Sequence, residues 1–138
     1  MLGVRLALTE QYPKGLGPTV PAIADCMPPP DEKRAFSAAG CRCLSVVPSE
    51  GIETVILTGL ETHVCILQTA LDLLEKGLVV FVAVDAVGSR FEKDHEVALR
   101  RLEASGGLLT TTEAILFEWC RDADHQFFRD VRSLITGA

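Results

Sequence analysis

The hydrophobic pattern is clearest in the middle of the chain, where two apolar runs flank an amphipathic one. Residues 54–59, TVILTG, are rich in apolar and β-branched side chains and end in glycine, which is typical of a buried strand. In the THVCILQTALDLLEKG that follows, the apolar residues are spaced as one helical face: Val64, Leu67, Leu71 and Leu74. Residues 78–86, LVVFVAVDA, are continuously apolar again. The pattern predicts a strand–helix–strand unit of about thirty residues, the size of a right-handed parallel crossover. Thr62 is the predicted N-cap of the helix, and Lys76 with Gly77 marks its C-terminus.

The same alternation continues to the C-terminus. Residues 92–107 predict a helix with Val97, Leu99 and Leu102 among its apolar positions, and two glycines end it. A short strand follows at LLT, then a threonine cap at position 111 or 112 and a further helix. Residues 122–135 predict a closing amphipathic helix.

The N-terminal third has weaker patterning. Residues 4–9 predict a short strand that enters a Gly/Pro loop. CMPPPDEKR is expected to be irregular because three prolines remove backbone donors and disfavour helix. Residues 35–50 predict at most a short helix. Together these patterns predict one α/β domain over residues 1–138 with a mostly parallel sheet.

Composition and charge exclude several classes of function. The 138 residues carry a formal net charge of −6, whereas binding to nucleic acid or to anionic membranes needs a basic surface. The longest apolar run is interrupted by Asp85 and is too short to span a bilayer. The N-terminus lacks a signal-peptide pattern. We therefore expect a cytoplasmic protein, with mitochondria and the nucleus as further compartments, and neither a nucleic-acid nor a membrane partner.

Five cysteines, an odd number without a secreted spacing, fit a reducing compartment. Cys41 and Cys43 form a C-x-C pair, but no second Cys/His pair stands at ligand spacing, so we expect neither a metal nor another cofactor. Cys65 differs from the others because it falls in the first turn of the predicted helix, just beyond a strand. Helix N-termini stabilise a thiolate, yet free cysteines are also common as inert buried residues. The position of Cys65 alone therefore leaves open whether it is a reactive thiol or an inert buried residue.

The stretch TGLETHVCILQTALDLLEKGLVVFVAVDAVGSR, together with LTEQYPKGLGPTVP and TTTEAILF, resembles the isochorismatase-like cysteine hydrolases, in particular their eukaryotic isochorismatase domain-containing members. The resemblance implies a Rossmann-like three-layer α/β/α sandwich that often forms oligomers. It also implies an Asp, Lys, Cys triad in which Cys65 is the nucleophile and Lys33 is the lysine. A cis peptide between Leu60 and Glu61 would turn the Glu61 N–H toward that of Cys65 to form an oxyanion hole. We assign Gln11 and Tyr12 to the site entrance as candidate substrate-binding residues.

The aspartate of the triad has no counterpart in this sequence. In the family it ends a first strand, which the resemblance places centrally in a sheet of order 3-2-1-4-5-6, and MLGVRLALTEQYP begins where the family enters its second strand. Asp25, Asp31 and Asp85 lie in other segments, and only Asp85 ends a strand near the same rim. We therefore expect an N-terminally truncated domain with exposed strand edges. Either the flanking strands close the gap, a partner such as a second copy fills it, or the sequence is a truncated gene model or splice form.

The sequence thus leads to a cysteine hydrolase acting on an unidentified small amide, ester or vinyl ether, with activity impaired by loss of the aspartate. The alternative is a catalytically inactive interaction or regulatory protein of the same fold. A third reading is a redox thiol protein that uses Cys65 or the Cys41–Cys43 pair.

Overall fold

The computed structural model describes residues 2–45, 47 and 50–137. Its strands and helices run in chain order: β1 (Thr9–Gln11), α1 (Pro13–Leu16), α2 (Pro21–Ala24), β2 (Asp31–Lys33), α3 (Arg42–Ser45), β3 (Thr54–Leu60), α4 (Leu67–Glu75), β4 (Val79–Gly88), α5 (Glu92–Ala104), β5 (Leu108–Thr110), α6 (Thr112–Cys120) and α7 (Phe128–Thr136). Between β3 and α4 lies a π-helical turn, Thr62–Ile66, which continues directly into α4.

The strands form two parallel sheets, which confirms the predicted α/β class. One sheet contains β1 and β2, and the other has the order β3-β4-β5. In the ranges that the structure describes, β1 pairs only with β2 and β3 pairs only with β4. Each of these two strands therefore has one edge whose backbone groups lack a strand partner.

The main core lies between the three-stranded sheet and the helices that connect its strands. Leu73 of α4, Leu102 of α5, and Val80 and Val82 of β4 are fully buried in one cluster. Because successive strand side chains point to opposite faces, Ala83, which is also fully buried, lies on the other face of β4. α6 contacts β4, and α7 packs against α6. Helices thus pack against the three-stranded sheet, and the β3–α4 junction lies at the edge of this core.

The buried face of α4 agrees only in part with the prediction. Leu67 is buried as predicted, together with Ile66, Ala70 and Leu73, whereas Leu71 and Leu74 are only partly buried. Ile66, Ala70 and Leu73 are spaced i, i+4 and i+7, so this buried face lies one residue before the predicted positions Leu71 and Leu74. The predicted C-terminal signal of the helix is confirmed. Gly77 adopts a positive φ of 81° just beyond it, as a C-terminal signal should.

Three other sequence predictions need correction. The predicted strand 4–9 is not formed; β1 is instead Thr9–Gln11, and Val4 and Leu6 are exposed. The charged segment predicted to be irregular supplies β2, whose residues pair with β1. In α5 the buried residues are Ala98 and Leu102, and Val97 is exposed.

The remaining predictions agree with the structure where it describes them. A short helix, α3, forms within 35–50, a segment of which positions 46, 48 and 49 lie outside the described residues. Thr111 is the N-cap of α6, and its side chain accepts a hydrogen bond from the Ala114 N–H at 3.3 Å. The closing helix is shorter than predicted and begins at Phe128. Among the described helices, none is long and apolar enough to cross a bilayer.

Candidate active site

The carboxyl ends of strands from both sheets contribute to one site. Gln11 ends β1 and Lys33 ends β2, and the two residues are register partners. β3 ends at Leu60 and leads through Glu61 into the π turn that contains Cys65. Ligands in parallel α/β folds bind beyond this end of the strands.

The structure brings the predicted lysine and cysteine together, although 32 positions separate them in the sequence. The Nζ of Lys33 lies 3.6 Å from the Sγ of Cys65, and both side chains are half-buried. A cation at this distance favours the ionised form of a thiol, and only the thiolate is an effective nucleophile.

Neutral oxygens hold the Lys33 ammonium group in place. It donates to Gln11 Oε1 at 2.6 Å, to the Phe36 carbonyl at 2.7 Å and to the Ala35 carbonyl at 3.1 Å. No ion pair in the described part of the chain includes Lys33. Its positive charge is therefore solvated by dipoles and is not cancelled by a carboxylate.

Gln11 and Tyr12 lie beside Lys33, but their contacts differ. Gln11 bonds to Lys33 and also donates from Nε2 to the Arg34 carbonyl at 2.8 Å. Tyr12 has a left-handed backbone with φ of 42°, precedes α1, and carries the Arg34 guanidinium 4.7 Å above its ring. The substrate-binding role of both residues stays a prediction.

The segment before Cys65 has an unusual backbone. Gly59 adopts φ of 109°, which favours glycine, and the peptide bond between Leu60 and Glu61 is cis, at the position that the resemblance implied. The Glu61 carbonyl accepts from the Val64 N–H at 3.1 Å and the Ile66 N–H at 3.2 Å. These bonds fix the start of the turn. That the N–H groups of Glu61 and Cys65 form an oxyanion hole stays a prediction.

A polar cluster that the sequence did not reveal surrounds the Glu61 side chain. His63 Nδ1 lies 2.9 Å from Ser89 Oγ and 3.5 Å from Glu61 Oε2. The same carboxylate oxygen accepts from the Arg90 backbone N–H at 3.4 Å and lies 3.5 Å from Arg90 Nε. The cluster joins the π turn to the loop after β4. The His63 side chain is thus engaged with this loop.

Thr62 corrects the predicted N-cap of the helix. Thr62 is fully buried and makes no capping bond; Glu61 is the N-cap instead. Thr62 Oγ1 lies 2.9 Å from Nδ1 of His95, which is half-buried. The pair links α5 to the turn that holds Cys65, a tertiary contact that local patterning cannot show.

The aspartates considered as substitutes for the missing acid bond elsewhere. Asp85 accepts from the Thr112 hydroxyl at 2.5 Å and from the Thr112 N–H at 2.9 Å, and these hydrogen bonds lower the pKa of the Asp85 carboxyl. Asp31 accepts from the Cys43 N–H at 2.6 Å, the main reason that the pKa of Asp31 is lowered too. Both carboxylates stabilise helix starts, and within the described residues neither bonds to Cys65.

Burial and the neighbouring Asp31 carboxylate raise the pKa values of two other thiols, Cys41 and Cys43. Burial, followed by bonding to Asp31 and its negative charge, raises the pKa of the Cys43 thiol to about 11. Burial and the same charge raise the pKa of the Cys41 thiol. In the described ranges, no three His, Cys, Asp or Glu side chains are grouped as metal ligands, so the C-x-C pair is not part of such a cluster.

We expect Cys65 to be alkylated first of the five thiols when the protein is treated with limiting iodoacetamide at pH 7. A thiol with a pKa of about 11 is ionised in about one molecule in ten thousand at that pH, so Cys43 should react far more slowly than Cys65. Cleavage after Glu50, Glu53 and Glu61 separates Cys65 from Cys43, and trypsin then separates Cys41 from Cys43 at Arg42. Exposed Cys26 is the internal standard. Earlier labelling of Cys41 or Cys43 than of Cys65 would contradict the assignment.

Two clefts meet at Lys33 without enclosing the thiol. One of about 600 Å³ runs along residues 31–42 and Asp72, and one of about 240 Å³ lies beside Tyr12 and Lys14. Lys33 lines both and Cys65 lines neither. Because Lys33 and Cys65 are the predicted catalytic residues that the structure brings into contact, we locate the candidate site by that contact and not by cleft size.

Comparison with known proteins identifies relatives over nearly the whole chain. The isochorismatase domain model matches residues 2–114. Isochorismatase domain-containing protein 2 of Bos taurus is 44% identical over 135 residues, which cover 98% of this chain and 66% of the relative. The chain therefore spans just under two thirds of the length of this curated relative.

Solved structures show the same similarity in three dimensions. The MAR1 ribonuclease of Caenorhabditis elegans superposes with a TM-score of 0.83 at 43% identity, over 93% of this chain and 67% of that one. YcaC of Pseudomonas aeruginosa, determined with hexane-2,5-diol and covalent acrylamide, has a TM-score of 0.79 at 26% identity, over 95% and 72% of the two chains.

Proposed function

The chain belongs to the isochorismatase domain family of hydrolases, and we propose on that premise that it is a cysteine hydrolase with Cys65 as nucleophile. The observation that carries the proposal is the 3.6 Å contact between Lys33 Nζ and Cys65 Sγ. The proposed substrate is a small amide, ester or vinyl ether. The reaction uses protein side chains and water and needs no further cofactor.

The first step for an amide or ester is attack of the Cys65 thiolate on the carbonyl carbon. The new S–C bond forms while the C=O electron pair moves to oxygen, and Lys33 stabilises the thiolate before attack. The N–H groups of Glu61 and Cys65 then bind the negative oxygen. Their position at the start of a helical segment supports this role, because the first N–H groups of a helix lack intrahelical partners.

The second half of the reaction needs proton transfer. Collapse of the tetrahedral intermediate breaks the bond to the amine or alcohol, which takes up a proton, and water then hydrolyses the thioester to acid and free thiol. A carboxyl group would serve both proton transfers. Because Asp85 and Asp31 bond to helix starts, we propose that the 138-residue polypeptide forms the acyl-enzyme and releases it slowly.

Replacing Lys33 with methionine should slow alkylation of Cys65 about tenfold near pH 7. Methionine keeps the length of the side chain and removes the cation that lies 3.6 Å from Sγ, so the attacking thiolate loses its electrostatic stabilisation. The measurement is the rate of iodoacetamide labelling at Cys65 against pH, in which the curve should move to higher pH. Lys93→Met, at an exposed position of α5, is the control and should leave the curve unchanged. An unchanged curve for Lys33→Met would remove Lys33 from the mechanism.

The function itself is tested with a panel of small amides, esters and vinyl ethers. Intact-protein mass spectrometry detects the acyl group on Cys65, and product analysis measures turnover. A mass increase confined to the Cys65 peptide supports the proposal. Absence of both adduct and product over the whole panel would favour the alternative, an interaction or regulatory protein of the same fold.

A nuclease reading comes from the name of the Caenorhabditis elegans neighbour. The formal charge of −6 on this chain argues against it, because binding to a phosphate backbone is dominated by Lys and Arg. We therefore keep the prediction that nucleic acid is not a partner. Incubation of the purified chain with single-stranded and duplex RNA tests this directly: cleavage that the Cys65→Ser variant lacks would overturn the prediction.

A further inference from the structure

We infer that Gln11 is a positioning residue that holds the Lys33 ammonium group against the Cys65 thiol. The inference rests on the proposed role of Lys33 and Cys65 and assigns to Gln11 a task other than binding substrate. It is carried by the two hydrogen bonds of the Gln11 amide and by the register that pairs Gln11 with Lys33.

The amide of Gln11 is fixed in one orientation. Its oxygen accepts from Lys33 Nζ at 2.6 Å, and its nitrogen donates to the Arg34 carbonyl at 2.8 Å. A flipped amide would place an NH₂ group against an ammonium group and an oxygen against a carbonyl, so both contacts would become repulsive. Since both ends are engaged with the protein, this amide is committed to the end of β2.

Gln11 is one of the acceptors around the Lys33 ammonium group. Besides the Sγ of Cys65, three oxygens accept from Lys33 Nζ: Gln11 Oε1 and the carbonyls of Ala35 and Phe36. Two of the acceptors belong to the chain directly after β2. Gln11 is the one that lies on the neighbouring strand, so it fixes the lysine relative to β1 and not only to its own segment.

The neutrality of the amide is as important as its geometry. A lysine side chain has a flexible four-carbon stem, so its ammonium group changes position readily when a contact is removed. A carboxylate at position 11 would hold the ammonium group equally well but would neutralise its charge. An amide restrains the ammonium group without neutralising it, so the positive charge of Lys33 can still stabilise the Cys65 thiolate. Glutamine is therefore suited to this position for a reason that a substrate contact would not require.

The test measures iodoacetamide labelling of Cys65 against pH in Gln11→Leu, Gln11→Glu, Lys33→Met and the double variant Gln11→Leu/Lys33→Met. Gln11→Leu should slow labelling about threefold to tenfold near pH 7 and move the curve to higher pH. Gln11→Glu should move it in the same direction although an acceptor is retained. The double variant should equal Lys33→Met alone, because Gln11 acts through the lysine. Gln126→Leu, the same substitution at an exposed position between α6 and α7, is the matched control.

The outcomes separate this inference from the proposed function. If Lys33→Met moves the curve and both Gln11 variants leave it unchanged, the positioning role is wrong and the proposed function stands. If Gln11→Leu and Lys33→Met have additive effects, Gln11 acts independently and the inference is again wrong. If none of the variants moves the curve, the Lys33–Cys65 pairing fails and both proposals fall. The Gln11→Glu variant keeps the size of the side chain and its acceptor oxygen, so it tests the positioning role even if the leucine variant misfolds. Circular dichroism melting of each variant verifies folding.

Discussion

Replacing Cys65 with serine is expected to abolish covalent capture of acyl groups and electrophiles at the site, and with it any amide or ester turnover. A serine hydroxyl stays protonated at neutral pH and needs an adjacent general base to become a nucleophile. In the described residues no histidine or carboxylate side chain is hydrogen-bonded to Cys65; its side-chain partner is an ammonium group, which cannot accept a proton. The variant should therefore react no faster than the uncatalysed background.

The serine variant should fold normally, because the substitution changes a half-buried sulfur to oxygen and costs about 1 kcal/mol. Intact mass after acrylamide or ester treatment measures capture, and circular dichroism melting measures stability. Cys26→Ser provides the matched control at an exposed thiol and should retain the adduct at Cys65. Turnover by Cys65→Ser at the original rate would show that the nucleophile lies elsewhere.

The strand–helix–strand unit around Cys65 could be predicted because its signals are local. A continuous apolar run needs burial on both faces, and a change of period marks the helix. The structure confirms β3, α4 and β4 at nearly the predicted bounds. The exact helical face could not be predicted, since apolar residues occupy two adjoining faces and the pattern alone does not show which one is buried more deeply: Ile66, Ala70 and Leu73, or Leu67, Leu71 and Leu74.

The environment of Lys33 could not be predicted from local pattern. DEKR resembles an exposed charged run, yet Asp31–Lys33 is a strand because its backbone pairs with Thr9–Gln11, about twenty residues earlier. Pairing of a three-residue strand depends on tertiary contacts more than on its own side chains. The resemblance to a family supplied Lys33 as a candidate, and the structure shows which neighbours direct its ammonium group to Cys65. The His95–Thr62 and Glu61–Arg90 contacts were missed for the same reason.

Joining a strand and helix that carry an aspartate to the N-terminus of the 138-residue chain is expected to raise turnover about 10²- to 10⁴-fold, the usual range for general acid–base catalysis. β1 and β3 each have an unpaired edge in the described structure, and the sheet order implied by the resemblance places the added strand between them. A parallel strand there would deliver its carboxyl-terminal residue to the rim where Lys33 and Cys65 meet.

The added segment would act in two ways, because its strand pairs with the exposed edges and its aspartate supplies the acid. A second extended polypeptide, with asparagine in place of the aspartate, separates the two effects. Pairing with both edges should raise the melting temperature and reduce association of exposed strands. The aspartate should accelerate proton transfer to the leaving group and from the attacking water. An otherwise identical extension with asparagine keeps the pairing and removes the acid, so it should gain stability while turnover stays near that of the unextended chain.

Comparison of the three polypeptides on one ester substrate decides between chemistry and scaffolding. Acyl-enzyme should accumulate in the unextended and asparagine forms and should disappear rapidly in the aspartate form, because departure of an alcohol from an ester depends less on the acid than hydrolysis of the thioester does. If the asparagine form turns over as fast as the aspartate form, the strand acts by holding the two sheets in register, and misplacement by about 1 Å was the defect. If the unextended chain is equally fast, another carboxylate serves. Asp85 would be the first to test, and its hydrogen bonds to Thr112 would then have to break during the reaction.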